Sequence, residues 1–253
     1  LNTRLRLICI PHAGAGASAY RRWADALLPD IDVRVVQLAG REARLRETPL
    51  DDLDGVITDL WGAVKDAADG PFALFGHSFG GLLAFELAHE IRRRTGKEPM
   101  RLFVSASAAP QARQLHSPLA DLPDADFVAE IAVRYGGIPA AILQDADFLA
   151  MILPALRADF RMLEQYRCAA RNILTCPISV FGGRLDGIVS ASSLDGWADH
   201  TAGSFSRDVI DGDHFYLQSQ RLVLADKIKH KLELDRVSHR ERSANAVVET
   251  IAF

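Results

Sequence analysis

The chain has 253 residues, 49% of them apolar and 25% charged, with a formal net charge of −4. That length and apolar content suit one α/β domain carrying an insert and exclude extended disorder, and the acidic balance speaks against a nucleic-acid partner. No apolar run approaches the ~20 residues that span a bilayer, no leader pattern precedes the first strand, and Cys9, Cys168 and Cys176 are an odd number without metal spacing; the expectation is a cytoplasmic protein with reduced thiols and no metal or membrane association.

The first strand is predicted over residues 5–10, ended by Pro11, and a small-residue loop follows from His12 to Ala17. Ser18 is the predicted N-cap of a helix over 19–28, with Tyr20, Trp23, Ala24 and Leu27 on one face. A β-branched strand over 31–38 leads to a loop bearing Arg41, Arg44 and Arg46, and a helix begins at Asp51 or Asp52 and runs to about Ala68. An apolar run over 71–75 then reads as a buried strand and 82–91 as a helix, with Gly96 as its stop.

Between these two, Gly76, Ser78 and Gly80 fit G-x-S-x-G, the pattern of a nucleophile elbow. A serine on so sharp a strand-to-helix turn has its hydroxyl pushed out of the sheet. Residues two before and two after it must lack bulky side chains, and the helix amides favour developing negative charge.

A strand over 100–106 completes an alternation that predicts a mostly parallel, doubly wound sheet. Alternation stops from 110 to 171. Helical spacing there runs over 126–135, through Phe127 and Ile131 with Val133 or Arg134, and over 145–166, through Phe148, Ile152, Leu156, Phe160 and Leu163. An all-helical insert at this point is a candidate lid over the strand C-terminal ends. Strands resume over 178–181 and 206–210, separated by a helix over 192–199 and followed by one over 217–234. The predicted organisation is therefore a core of 1–109 and 172–234, a lid of 110–171, and a polar appendage of 235–253.

A serine hydroxyl needs a base, and the base an orienting acid, in chain order Ser, acid, His for this topology. Asp186 follows a late strand, and His214 alone among eight histidines lies between the last strand and the last helix. Asp213, Asp211 and Asp195 are rival acids. His77 is expected to point away from the site, and His89, His200, His230 and His239 to be solvated. An oxyanion hole needs two backbone amides, assigned to Phe79, after the nucleophile, and Ala13, in the first loop. The third glycine of a dinucleotide fingerprint is missing, since Ala19 stands there, and no cofactor is expected.

These residues resemble a type II thioesterase of the α/β-hydrolase superfamily, the stand-alone enzymes that accompany polyketide synthases and nonribosomal peptide synthetases. The resemblance rests on Pro11-His12-Ala13-Gly14, Gly40-Arg41-Glu42 with Arg44, the elbow, Leu156-Arg157-Ala158-Asp159-Phe160, and Gly212-Asp213-His214-Phe215. It implies an α/β-hydrolase fold, Ser78 as nucleophile, His214 as base and Asp186 as its partner. It also implies hydrolysis of acyl groups from the phosphopantetheine arm of an acyl or peptidyl carrier protein; a monomer is expected. An esterase or lipase with the same triad, and a silent hydrolase fold used for binding, are the alternatives. Because carrier proteins are acidic, Arg41, Arg44 and Arg46 are the expected docking surface, and Arg92, Arg93, Arg94 and Lys97 favourable charge at a helix C-terminus.

Overall fold

The computed structural model describes residues 4–112, 118–136, 143–170 and 172–251, with side chains to Val237. Six strands, β1 (Leu5–Ile10), β2 (Ile31–Val35), β3 (Phe72–His77), β4 (Leu102–Ser105), β5 (Ile178–Gly183) and β6 (Phe205–Ile210), form one sheet in the order β2-β1-β3-β4-β5-β6. Every pairing is parallel. Parallel strands need crossovers, and helices supply them on both faces. Period-two alternation divides β1 accordingly: Leu5, Leu7 and Cys9 join the core under α1 (Trp23–Leu27) and α8 (Arg221–Ile251), while Ile8 and Ile10 join the core under α2 (Leu53–Val64) and α3 (Phe79–Thr95). α4 (Asp124–Tyr135) and α5 (Ala146–Gln165) of the insert enclose a small core of their own, including Phe127, Ile131, Leu156 and Phe160.

The register decides where chemistry can sit. Ile10 pairs with Gly76, His77 with Ser105, Ser105 with Phe181, and Gly183 with Ile210, so the carboxyl ends of β1, β3, β5 and β6 share one edge. Strand order reverses between β1 and β3, and the crevice outside that switch point is the binding place of open α/β sheets.

Several boundaries differ from the sequence reading, each for a physical reason. The helix over 19–28 is a 3₁₀ turn, Ala17–Tyr20, followed by the short α1, because the Ser18 amide donates to the Glu42 carboxylate at 3.1 Å instead of Ser18 capping a helix. Asp52 does cap α2, accepting the Gly55 amide at 2.7 Å. α3 starts at Phe79, through two glycines that read as a turn, and stops at Gly96 with φ 71°. The stretch over 192–199 divides into α6 (Ala191–Asp195) and a 3₁₀ turn, and a single turn, α7 (Tyr216–Ser219), precedes α8. Val133 is 83% exposed, so it faces away from the insert core. α8 runs through Asp235 without a break to Ile251, and Asp235 pairs with Arg101 at 2.7 Å, which ties the predicted appendage boundary to the sheet.

Candidate active site

Ser78 is the single residue between β3 and α3, and its backbone sits at φ 54°, ψ −118°. A non-glycine residue in that region costs of order 1–3 kcal/mol and persists only where its surroundings enforce it. They do so by close packing. A Cβ on Gly76 would collide with the Gly80 carbonyl, and one on Gly80 with the Ile10 carbonyl, so the turn seats against β1 only with both glycines.

His214, 4% exposed, comes from the loop after β6. Its Nε2 lies 3.0 Å from Ser78 Oγ and its Nδ1 2.9 Å from Asp186 Oδ2. The other Asp186 oxygen accepts the Ile188 and Val189 amides at 2.8 and 3.0 Å. Burial pushes the Asp186 carboxyl up, but the His214 hydrogen bond and those amides outweigh it, leaving it below its ordinary value and ionised. An ionised carboxylate only accepts, so His214 carries its proton on Nδ1 and turns the Nε2 lone pair to the serine hydroxyl. The rival acids are engaged elsewhere: Asp213 accepts the Phe215 amide, Asp211 pairs with Arg184 and Asp195 with Arg207.

His77 points away from Ser78, as expected, into a buried relay. Its Nε2 is 2.9 Å from the His214 carbonyl, its Nδ1 2.9 Å from Ser105 Oγ, and Ser105 Oγ is 2.7 Å from the Tyr216 hydroxyl. A carbonyl only accepts, so each proton in the relay has one place: Tyr216 to Ser105, Ser105 to His77, His77 to the His214 carbonyl. Burial, then the neighbouring His214 and His12, hold His77 well below its ordinary value, which keeps it neutral. His89 is buried rather than solvated, edge-on to Phe85.

The first loop is held from outside itself. The Gly14 amide donates to Asp159 of α5 at 2.8 Å, and Arg41 grips the same carboxylate with two nitrogens, at 2.6 and 3.1 Å. Asp159 is wholly inaccessible; burial pushes its carboxyl up while Arg41 and the Gly14 amide pull it back. Arg41 is thus a buried strut, not a docking residue. Arg44 is also spent internally, on Glu47 and Asp59, and Arg46 alone of the three is exposed. At the helix end, Arg92 pairs with Glu98 and Arg93 and Arg94 with Glu90.

Ser78 sits between two openings. A cavity of about 290 Å³ is bounded by Ser78, Phe79, Ser107, Tyr135, Asp186 and Ser190. A recess of about 70 Å³ is bounded by Ser78, Ala13, Ile131, Leu156, Phe160 and His214. Phe79 opens α3, so its amide has no acceptor within the helix. The insert roofs both openings through Tyr135 and Leu163. Among the described residues no cluster of His, Cys, Asp and Glu could hold a metal ion, and no helix is long and apolar enough to cross a membrane.

Residues 5–232 match the family model of the thioesterase domain. The chain belongs to the thioesterase family. It is 39% identical over 237 residues to the gramicidin S biosynthesis protein GrsT of Aneurinibacillus migulanus, covering 89% of this chain and 92% of GrsT. A second relative, named linear gramicidin dehydrogenase LgrE, of Brevibacillus parabrevis, is 35% identical over 237 residues, 92% of this chain and 90% of its own. Among solved structures, the type II thioesterase BorB from the borrelidin biosynthetic cluster superposes with a TM-score of 0.83 at 37% identity, covering 91% of this chain and 93% of BorB. The thioesterase reading of the sequence and its α/β-hydrolase fold therefore stand. The structure brings Ser78, Asp186 and His214 together, and adds Tyr135 at the openings and an anchoring role for Asp159, which the sequence offered only as part of the Leu156–Phe160 motif. Both lie in the insert, where the sequence offered helical spacing and that motif but no partner for either residue.

Proposed function

We infer that this thioesterase hydrolyses acyl groups from the phosphopantetheine arm of an acyl or peptidyl carrier protein in polyketide or nonribosomal peptide assembly, through an acyl-serine on Ser78. The observation that carries the reading is the Asp186–His214–Ser78 relay, at 2.9 and 3.0 Å, between two roofed openings in a chain of this family. Ser78 Oγ attacks the thioester carbonyl as His214 Nε2 takes its proton, and the Ala13 and Phe79 amides hold the resulting oxyanion. The C–S bond breaks and the departing sulfur takes the proton from His214. Water then attacks the acyl-serine with His214 again as base, releasing the carboxylic acid and restoring Ser78. Asp186 holds the imidazole tautomer and balances its transient charge. The chemistry asks for no cofactor, and we place it in the cytoplasm, on a monomer.

A dehydrogenase, the word in the name of LgrE, would bind its dinucleotide pyrophosphate on the first loop. Here the Gly14 amide already donates to a buried carboxylate, an anion where that phosphate would lie. The test is a hydrolysis panel of acyl-carrier thioesters, free acyl thioesters and oxygen esters. Acyl-carrier substrates are expected to be cleaved best, and Ser78→Ala to lower the rate by several orders of magnitude in a folded protein. Faster turnover of oxygen esters would make the protein a carboxylesterase instead.

A further inference from the structure

Behind the recess at Ser78 lies a larger cavity of about 400 Å³, between the first loop and α5. It is a groove open to solvent: Leu45, Phe148 and Met151, each about two-fifths exposed, and Ile152 give it a mostly apolar wall, Arg41 and Glu42 line its other side, and it does not touch Ser78. His12, Ala13 and Leu156 line both this cavity and the recess, so these residues stand between the two. Of the three, His12 and Leu156 carry the bulk, and Leu156 is the one that α5 presses against the first loop. It is buried, and its Cδ1 presses on the first loop so closely that a Cβ on Gly14 would come within 2.7 Å of it.

We propose that Leu156 is the residue that sets acyl-chain length, as the wall between the recess at Ser78 and this second, mostly apolar cavity that would take the tail of a longer linear acyl chain. This rests on the acyl-serine reading above. The two openings at Ser78 differ in chemistry. The larger carries the hydroxyls of Ser107, Ser190 and Ser193 beside Asp186, a match for the amides of a pantetheine arm. The recess offers Ile131, Leu156 and Phe160, a match for methylenes. An acyl group turned into the recess runs into Leu156 after about 70 Å³, against the 400 Å³ beyond it. A methylene that must stay outside an apolar pocket forfeits roughly tenfold or more in specificity, so the wall makes the enzyme favour short acyl groups.

The experiment compares N-acetylcysteamine thioesters from two to twelve carbons with the wild type, Leu156→Ala, Leu156→Val, and Leu156→Ala combined with Ile152→Trp. The readout is the ratio of kcat/KM for decanoyl to that for propionyl within each protein, which cancels losses common to all substrates. Leu156→Ala is expected to raise the ratio at least about tenfold, and Leu156→Val by a smaller factor. Ile152→Trp, which fills the second cavity from its far side, is expected to return the ratio to the wild-type value. Leu156→Val removes one methylene and keeps the test available if the alanine variant unfolds. An unchanged ratio in either folded variant, or a raised ratio that survives Ile152→Trp, would overturn the wall. If the wild type cleaves none of these free thioesters, the same ratio is read on propionyl- and decanoyl-carrier substrates; cleavage of neither class would overturn the reaction itself, and the wall with it.

Discussion

The two loops that flank the nucleophile are built on opposite principles. The elbow, Gly76 to Gly80, is enforced by its neighbours along the chain and the strand beside it: two glycines, a tight turn and the start of α3. The first loop, from His12 to Ala17, is shaped by residues distant in sequence, through Asp159 from the insert and Gln37 from the segment after β2. Both contribute an amide to the proposed oxyanion hole, yet one is self-sufficient and the other conditional. The electrophilic half of the site thus depends on the insert being seated, whereas the nucleophile does not.

The largest effect probes the self-sufficient side. Asp186→Asn would stabilise the wrong His214 tautomer and is expected to lower kcat about 10⁴-fold, whereas Asp213→Asn, whose carboxylate caps the Phe215 amide, leaves most of the rate. Steady-state rates on equally folded proteins check this, and the reverse ranking would mean that Asp213 is the acid.

Next comes the conditional side. Removing one partner of a buried ion pair costs roughly 3–5 kcal/mol, while replacing both by apolar groups is often neutral. Asp159→Leu is therefore expected to lower the melting temperature sharply, and Asp159→Leu with Arg41→Met to recover most of it. The double variant still leaves the Gly14 amide without its acceptor and Ala13 unanchored. A misplacement of about 1 Å costs ~10²-fold in rate, so kcat stays low although stability returns. Recovery of both would make the pair a structural tie only, and the two loops alike.

The smallest effect concerns the relay behind the base. His77→Phe removes one hydrogen bond to the His214 carbonyl, worth about 1 kcal/mol, or about fivefold in kcat, with KM unchanged because His77 is fully buried. Stability against pH gives an independent readout. An unfolded histidine titrates at about 6.5, while folded His77 lies well below that. The unfolded chain therefore binds a proton that the native chain refuses, and stability falls as pH drops below the unfolded value. In His77→Phe that acid slope is shallower by one proton. An unchanged slope would mean that His77 is protonated in the fold.

The same contrast explains what could be read from the sequence. Ser78, Asp186 and His214 were legible because each sits just after a strand, and strand order fixes which loops share an edge. Arg41 and Asp159 are 118 positions apart and meet only through the insert, so an arginine that reads as surface charge is in fact buried. Arg44 misleads in the same way, because its partner Asp59 lies on α2. The shortened α1 follows from Glu42 capturing Ser18, which no local pattern announces. The end of the last helix was misread because a polar run resembles a tail, whereas Arg101 holds Asp235 and the helix continues.

The most direct test of the acyl-serine on Ser78 is rapid-quench mass spectrometry of the intact protein mixed with a short acyl-carrier substrate. A transient mass gain of one acyl group is expected, mapped to the peptide containing Ser78, lost at the rate of product formation and absent in Ser78→Ala. Product formed at full rate with no acylated protein, or with acylation at another residue, would contradict the acyl-serine.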